Sequence, residues 1–265
     1  MLTNVTFASR FGRRAVFGMV HLLALPGAPL FASLGGVIEA AVRDARAIGE
    51  GGADGIVFEN FGDRPFTKGR VGAETVAAMT RVIAEVVRDV RVPFGVNVLR
   101  NDAHSALAVA AATGAAFIRV NVHTGAMLTD QGIIEGDAFG TLRMRTALAP
   151  EVLIFADHLV KHAVPLGDVD PVQAGRDLRL RGLADAVIVS GIETGAPVDA
   201  RRLNALREAL PDAPLLLGSG LTEENAAAFG AADGAIVGTS IKSGGRVDGP
   251  VDATRVAALV RAFRG

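Results

Sequence analysis

Cysteine, tryptophan and tyrosine are all absent from this 265-residue chain. Without cysteine the protein has no disulfide, no thiolate metal ligand and no cysteine nucleophile, and the cytoplasm is the expected compartment. Surfaces that bind nucleic acids rely on basic patches and on aromatic stacking. The formal net charge of −1 and the missing aromatic residue types therefore predict no nucleic-acid partner.

Long hydrophobic runs are missing as well, although 50% of the residues are hydrophobic and the mean hydropathy is +0.37. No run reaches the ~18 apolar residues that a membrane helix needs, so no membrane span is expected. Arg13 and Arg14 precede VFGMVHLLALPGAP, which resembles an export signal. Because His21 interrupts this run and Pro26 ends it early, we predict that the segment belongs to the fold.

Short apolar runs, by contrast, recur along the whole chain. Each has the length of a buried strand, and β-branched residues are common in them. They do not alternate cleanly with polar residues, which favours a parallel sheet covered on its outer face. The runs cover residues 15–22, 55–60, 94–99, 117–122, 152–157, 186–191, 215–220 and 235–238.

Helical patterns of period 3.6 separate these runs, and the expected N-caps include either Asn101 or Asp102, and Thr222. Eight strands that are each followed by a helix predict an α/β fold, a single (β/α)₈ TIM barrel over residues 1–265, and the length fits the ~250 residues typical of that fold. The alternative is an open doubly wound sheet. It would need a GxGxxG turn after the first strand, which residues 21–27 do not contain.

Polar residues stand at or just after most of the predicted strand ends, which in such a barrel carry the chemistry. The alternative is that they only cap helices or satisfy loop backbone. The long exit over residues 121–136 is expected to be a lid or binding loop. The predicted substrate-binding residues are His21, Asn60, Asn97, Arg119, Asn121, Asp130, Gln131 and Ser190. The turn Ser190–Thr194 is a further candidate for holding a sugar hydroxyl or a second anion.

The fifth exit, FADHLVKHAVPL, has the highest density of ionisable residues and contains Lys161, one of only three lysines. We predict Glu59 or Asp157 as a general base, and Lys161 and His162 as acids or oxyanion stabilisers. A Schiff base on Lys161 is a narrower alternative. The structural alternative is a salt-bridged loop.

A catalytic metal has little support in the sequence. His21, Glu59, Asp157 and His158 could converge on an ion, but no HxH or HExxH spacing is present. The prediction is therefore that the protein uses neither a metal nor another cofactor.

Two glycine-rich exits follow the last two predicted strands in LLLGSGLTEENAAAFGAADGAIVGTSIKSGG (215–245). Phosphate is often bound at these two exits of a TIM barrel, where glycine lets the backbone N–H groups approach an anion closely. The alternative is that tight turns simply require glycine. The predicted phosphate-binding residues are Gly218, Ser219, Gly220, Gly238, Thr239 and Ser240.

The sequence also resembles the BtpA/SgcQ family over nearly its whole length. The segments that carry the resemblance are GMVHLLALPGAP, DGIVFENFGDRPF, FGVNVLRNDAHSALAVAAATGAAFIRVNVHTGAMLTDQGIIEG, FADHLVKHAVPL, ADAVIVSGIETGAP and GSGLTEENAAAFGAADGAIVGTSIKSGG. The resemblance implies a barrel of the ribulose-phosphate-binding type. It also implies either a role in photosystem I biogenesis, which gives the family its name, or an enzymatic role in sugar metabolism.

Two functions remain open at this point. The first is an enzyme (isomerase, epimerase, lyase or hydrolase) acting on a phosphorylated sugar or nucleoside-like metabolite at the barrel mouth. The second is an assembly factor for a membrane complex such as photosystem I, with a vestigial metabolite site. A phosphorylated small molecule is the expected ligand, and a homo-oligomer is the expected state.

Overall fold

The computed structural model describes residues 1–191, 195 and 198–265. Eight parallel strands in this part close into a barrel, in which each strand pairs with the next along the chain and the last pairs with the first. The barrel strands are Ala15–His21 (β1), Gly55–Glu59 (β2), Phe94–Asn97 (β3), Phe117–Val120 (β4), Leu153–His158 (β7), Ala186–Val189 (β9), Leu215–Leu217 (β10) and Gly234–Val237 (β11). The predicted TIM barrel is confirmed and the open doubly wound sheet is excluded.

Of the described helices, the first closes one end of the barrel and the others cover its outside. They are Asn4–Phe11 (α1), Leu34–Glu50 (α2), Ala73–Val86 (α3), Ala103–Thr113 (α4), Ala138–Leu148 (α5), Pro171–Arg176 (α6, continued by a π-helix over Asp177–Arg181), Ala200–Ala209 (α7) and Ala253–Arg264 (α8). Within the described ranges, none of these helices combines the length and the apolar composition needed to cross a bilayer.

The seventh βα unit departs from the regular pattern. Between β10 and β11 the described chain forms only a short 3₁₀ helix, Ala226–Phe229. The expectation that Thr222 caps an α-helix is therefore wrong. Its backbone N–H instead donates to Asn225 Oδ1 at 2.9 Å. The shortened unit keeps the exits of β10 and β11 close together.

The amino end of the barrel is closed by α1, whose Phe7 and Phe11 are buried. These rings pack against Phe17, Phe117 and Phe155, which point inward from β1, β4 and β7. Phe117 and Phe155 stack with their centroids 4.2 Å apart. Because this cluster fills the lower interior, only the carboxyl end of the barrel is left for a ligand.

The long fourth exit folds into a hairpin, Ala126–Thr129 (β5) and Gly132–Glu135 (β6). A third strand, Ala163–Pro165 (β8), pairs with β5 to complete a small antiparallel sheet. One face buries Met127 and Ile134 against Val122 and Val160. This sheet extends the rim of the barrel next to Lys161.

Candidate functional site

The two glycine-rich exits share one cavity at the barrel mouth. β10 and β11 are neighbouring parallel strands, with Leu216 paired to Gly234, so their carboxyl ends lie side by side. The cavity has a volume of about 250 Å³. Its wall includes all six residues predicted to bind phosphate, namely Gly218, Ser219, Gly220, Gly238, Thr239 and Ser240.

Backbone groups of this wall are available to a ligand. The N–H groups of Gly220, Thr239 and Ser240 have no acceptor within the described part of the chain. At Gly218 a Cβ atom would lie 2.3 Å from Ser190 Oγ and 2.6 Å from the Ile188 side chain. Only glycine fits at this position, because the backbone passes too close to these two side chains for a Cβ atom.

The two loops are fixed by hydrogen bonds from side chains that the sequence did not reveal. Asn225 Nδ2 donates to the Gly220 carbonyl at 2.7 Å, and Arg255 Nε donates to the Ser240 carbonyl at 2.9 Å. Arg255, in the first turn of α8, also lines the cavity and brings a positive charge to it. Lys242, in the loop after β11, is buried, and its ammonium donates a hydrogen bond to the Val247 carbonyl at 2.9 Å.

The ionisable part of the cavity wall is formed by His21, Glu59, Arg119 and Lys161. Asn97 Nδ2 donates to Glu59 Oε2 at 2.6 Å, and His21 Nε2 lies 3.7 Å from Glu59 Oε1. Burial, reinforced by the charges of Lys242 and Lys161, lowers the pKa of His21 to about 3. His21 is therefore neutral at physiological pH.

Asp157 lies behind Arg119 and is fully engaged. Arg119 Nε and Nη2 donate to the two carboxylate oxygens at 2.9 and 2.8 Å. Asn121 Nδ2 adds a hydrogen bond of 3.0 Å and Ser190 Oγ one of 3.1 Å. All four side chains are buried. The carboxylate fixes the guanidinium that forms part of the cavity wall.

Lys161 is the only lysine on the described wall of the cavity. Burial, followed by the charge of Arg119, lowers the pKa of its ammonium to about 8. The buried Arg100 donates Nη2 to the Lys161 carbonyl at 2.8 Å and so fixes the backbone from which the amine extends. Sequence reasoning did not identify Arg100, although it follows the third strand in NVLRND.

Several other predicted site residues lie away from this cavity. Asn60 accepts from the Leu99 N–H at 2.7 Å and donates to Asp63 at 3.0 Å, so its amide connects loops of the rim. The turn of the β5–β6 hairpin contains Asp130 and Gln131. His162 is an exposed residue just before β8. Of the predicted Ser190–Thr194 turn, residues 192–194 lie outside the described part of the chain.

His158 does not join His21, Glu59 and Asp157 around an ion. Its Nε2 bonds to the Pro171 carbonyl at 2.7 Å, and its Nδ1 to Arg202 Nη2 at 2.9 Å. Among the described residues, no group of three histidine, aspartate or glutamate side chains is arranged to hold a metal. His158 thus connects β7 with α6 and α7.

The pH dependence of stability should report on His158. Burial, followed by the charge of Arg202, lowers its pKa to about 4. Above pH 6.5 the imidazole is neutral in both states, whereas between pH 6.5 and 4 only the unfolded chain takes up the proton. Stability is therefore lost as pH falls through this window, by about 3 kcal/mol.

Urea unfolding of the wild type and of His158→Gln, followed between pH 7.5 and 4.5, measures this effect. We expect the variant to be less stable at pH 7.5 but to lose less stability on acidification. Equal losses in the two proteins would contradict the assignment.

Comparison with known proteins places this geometry in a family. The sequence profile of the BtpA family matches residues 12–265. The photosystem I biogenesis protein BtpA of Synechocystis sp. is 47% identical over 250 residues, covering 94% of this chain and 87% of that protein. The sgc region protein SgcQ of Escherichia coli is 37% identical over 248 residues, covering 92% of this chain and 91% of its own length.

Solved structures agree on the fold. A phosphoribosyl anthranilate isomerase from Thermococcus kodakaraensis matches with a TM-score of 0.58 at 16% identity, covering 96% of this chain and 99% of that one. A thiamine phosphate pyrophosphorylase from Pyrococcus furiosus matches with a TM-score of 0.60 at 14% identity, covering 95% and 96%. The solved structures show the fold alone, whereas the profile match and the sequence relatives show that the chain belongs to the BtpA family.

Proposed function

We propose that this protein is an enzyme acting on a phosphorylated sugar or nucleoside-like metabolite. The observation that carries the proposal is the shared cavity. Its lining combines glycine-rich backbone and Arg255 with the ionisable side chains of Glu59, His21, Arg119 and Lys161. A dianion held by the glycine-rich backbone would place the remainder of a small metabolite beside these ionisable groups. Structural relatives named for phosphorylated substrates have the same fold.

The phosphate would be bound mainly by backbone. The N–H groups of Gly220, Thr239 and Ser240, which have no acceptor among the described residues, are donors of the kind that bind phosphate in barrels of this type. The Ser219 hydroxyl accepts from the Gly191 N–H at 2.9 Å, so it also helps to position the loop. Arg255 would compensate part of the ligand's charge.

The ionisable wall suits proton transfer. Glu59 would act as the general base, oriented by the hydrogen bond from Asn97, with neutral His21 beside it at 3.7 Å. Arg119, held by Asp157, would stabilise a developing oxyanion. Lys161 would donate or accept a proton near neutral pH. His162 remains a predicted acid outside this wall. Isomerisation, epimerisation, bond cleavage and hydrolysis all use such groups.

Replacing Gly238 by leucine tests the phosphate site. Its Cβ would lie 3.3 Å from His21 Cε1 and 3.6 Å from Met19 Cγ, so a larger side chain intrudes among residues that line the cavity. Losing one or two charge-assisted hydrogen bonds weakens phosphate binding about 10- to 100-fold. Calorimetric titration with inorganic phosphate measures this change, and thermal unfolding checks the fold.

Gly230→Leu is the matched control, because nothing lies within 4 Å of its Cβ position. We expect this variant to bind phosphate as the wild type does. A wild type that does not bind phosphate, or equal binding by Gly238→Leu, would refute the proposed site. Incubating the wild type with a metabolite extract then tests turnover, and depletion of a phosphorylated metabolite is the expected result.

A role in assembly is the second candidate, and the 47% identity to a photosystem I biogenesis protein favours it. It predicts a stable hetero-complex without turnover, which purification from the native host would detect.

Self-association is also proposed. Leu128, Ile133 and Val164 are exposed and lie directly opposite one another across the small sheet. Light scattering on the same preparation measures the oligomeric state.

A further inference from the structure

The three lysines of the chain have contrasting environments. Lys68 is exposed in the loop after β2. Lys242 is buried with its ammonium donated to the Val247 carbonyl. Lys161 alone, among the described residues, brings an amine to the cavity wall that also carries the two glycine-rich exits. A small ligand held at those exits would therefore meet a single amine.

The Lys161 amine has no dedicated counterion. The nearby carboxylate of Asp157 is occupied by Arg119, Asn121 and Ser190. Glu59 receives its hydrogen bond from Asn97. Among the described residues, neither carboxylate forms an ion pair with Lys161. The charged groups around the ammonium thus already have hydrogen-bond partners. Loss of the proton from Lys161 therefore leaves no carboxylate of the site without a partner.

Cationic neighbours also favour the free amine. Burial lowers the pKa of Lys161 most; Arg119 and Arg100 lower it further, and the charges of Glu59 and Asp157 oppose this without reversing it. A lysine that is desolvated next to other cations is the usual form of an imine-forming nucleophile. The lowering of its pKa from 10.5 to about 8 raises the fraction of neutral amine at pH 7 roughly 300-fold.

We propose that Lys161 is a covalent nucleophile that forms an imine with the open-chain carbonyl group of a phosphorylated aldose or ketose. This inference rests on the proposed function, because it uses the same cavity and the same phosphate loops. It adds the class of substrate, a carbonyl compound, and assigns one residue to bond formation.

The step is balanced without an oxidant or a reductant. The Nζ lone pair forms a bond to the carbonyl carbon, and the carbonyl oxygen takes up a proton to give a carbinolamine. A second proton on that oxygen then lets water leave, and the nitrogen lone pair forms the C=N bond of a protonated imine. Glu59, on the same wall, is the group that carries protons between nitrogen and oxygen.

Trapping with borohydride tests this inference on the intact wild-type protein. The probes are ribose 5-phosphate and dihydroxyacetone phosphate, with unphosphorylated ribose and dihydroxyacetone as their counterparts. Sodium borohydride reduces any imine to a stable secondary amine, which peptide mass spectrometry locates. We expect adducts on Lys161 at an occupancy at least about tenfold above Lys68, because Lys161 lines the cavity that holds the probe and Lys68 does not. The phosphorylated probes should react at lower concentration.

The outcomes separate this inference from the phosphate assignment. Adducts on Lys161 with equal efficiency from both kinds of probe would support the nucleophile and overturn the phosphate site. Phosphorylated probes that compete with inorganic phosphate but leave no adduct would overturn the nucleophile alone. Equal labelling of Lys68 and Lys161 would also overturn it. Lys68→Arg should keep the adduct and Lys161→Arg should lose it, while both retain the wild-type melting temperature.

Discussion

Asp157→Ala is expected to lower the free energy of unfolding by about 3–5 kcal/mol, because it leaves a buried guanidinium without its counterion. Arg119 is 3% exposed, and its two donors reach the two oxygens of Asp157. The substitution also removes the acceptor of Asn121 and Ser190. Chemical denaturation monitored by circular dichroism measures the loss.

The double variant Arg119→Met/Asp157→Ala separates the effect of the missing counterion on stability from the effect of the lost side-chain volume. Removing both charges should recover part of the stability, since an apolar replacement of a buried pair costs less than breaking it. Asp248→Ala, which breaks the exposed pair with Arg246, is the surface control and should leave the denaturation midpoint unchanged. If Asp157→Ala were as stable as the wild type, Asp157 would not be the anchor of this site.

Glu59→Gln is expected to lower turnover of the metabolite consumed by the wild type by about 10²- to 10⁴-fold, the usual contribution of a general base. Glutamine keeps the size of the side chain and its contact with Asn97 but accepts no proton. The initial rate under saturating substrate measures the effect. Binding of inorganic phosphate should be retained, since Glu59 ends β2, which is not a neighbour of β10 or β11 in the barrel.

Glu223→Gln is the matched control for this variant, because Glu223 also lines the cavity but is exposed at its rim. It makes the same chemical change and should keep the wild-type rate. Equal rates for Glu59→Gln and the wild type would assign the base to another group. An equal loss in both variants would point to the charge of the cavity rather than to proton transfer at Glu59.

Much of the fold could be predicted from the sequence, since apolar runs of strand length mark the barrel strands. The predictions were less accurate at the strand ends, where β3, β4, β9 and β10 stop two or three residues before the predicted limits. The polar residues at these strand ends are not paired in the sheet and contact other side chains instead. α1 was not predicted, because its phenylalanines gain their burial only from the barrel interior that they close.

The candidate site was only partly predictable. All six glycine-loop residues reach the cavity because a glycine-rich exit after a strand is a local feature, set by backbone conformation. Arg255 and Asn225 were missed because nothing in the local sequence distinguishes them from surface residues. Asn60 was predicted to bind substrate, but its amide bonds to Leu99 and Asp63, two partners that lie on different loops.

By itself, the sequence determined most of the strands and helices, the two glycine-rich exits and the family, since these depend on periodicity and on short motifs. Only the tertiary structure decided which polar groups face the cavity and which form hydrogen bonds with one another. Arg119 and Asp157 are 38 residues apart in the chain and meet because β4 and β7 are neighbours in the closed barrel. The pairing of these strands, which the whole chain sets, thus engages Asp157 with Arg119. Lys161 is left without a paired carboxylate in the described part of the mouth.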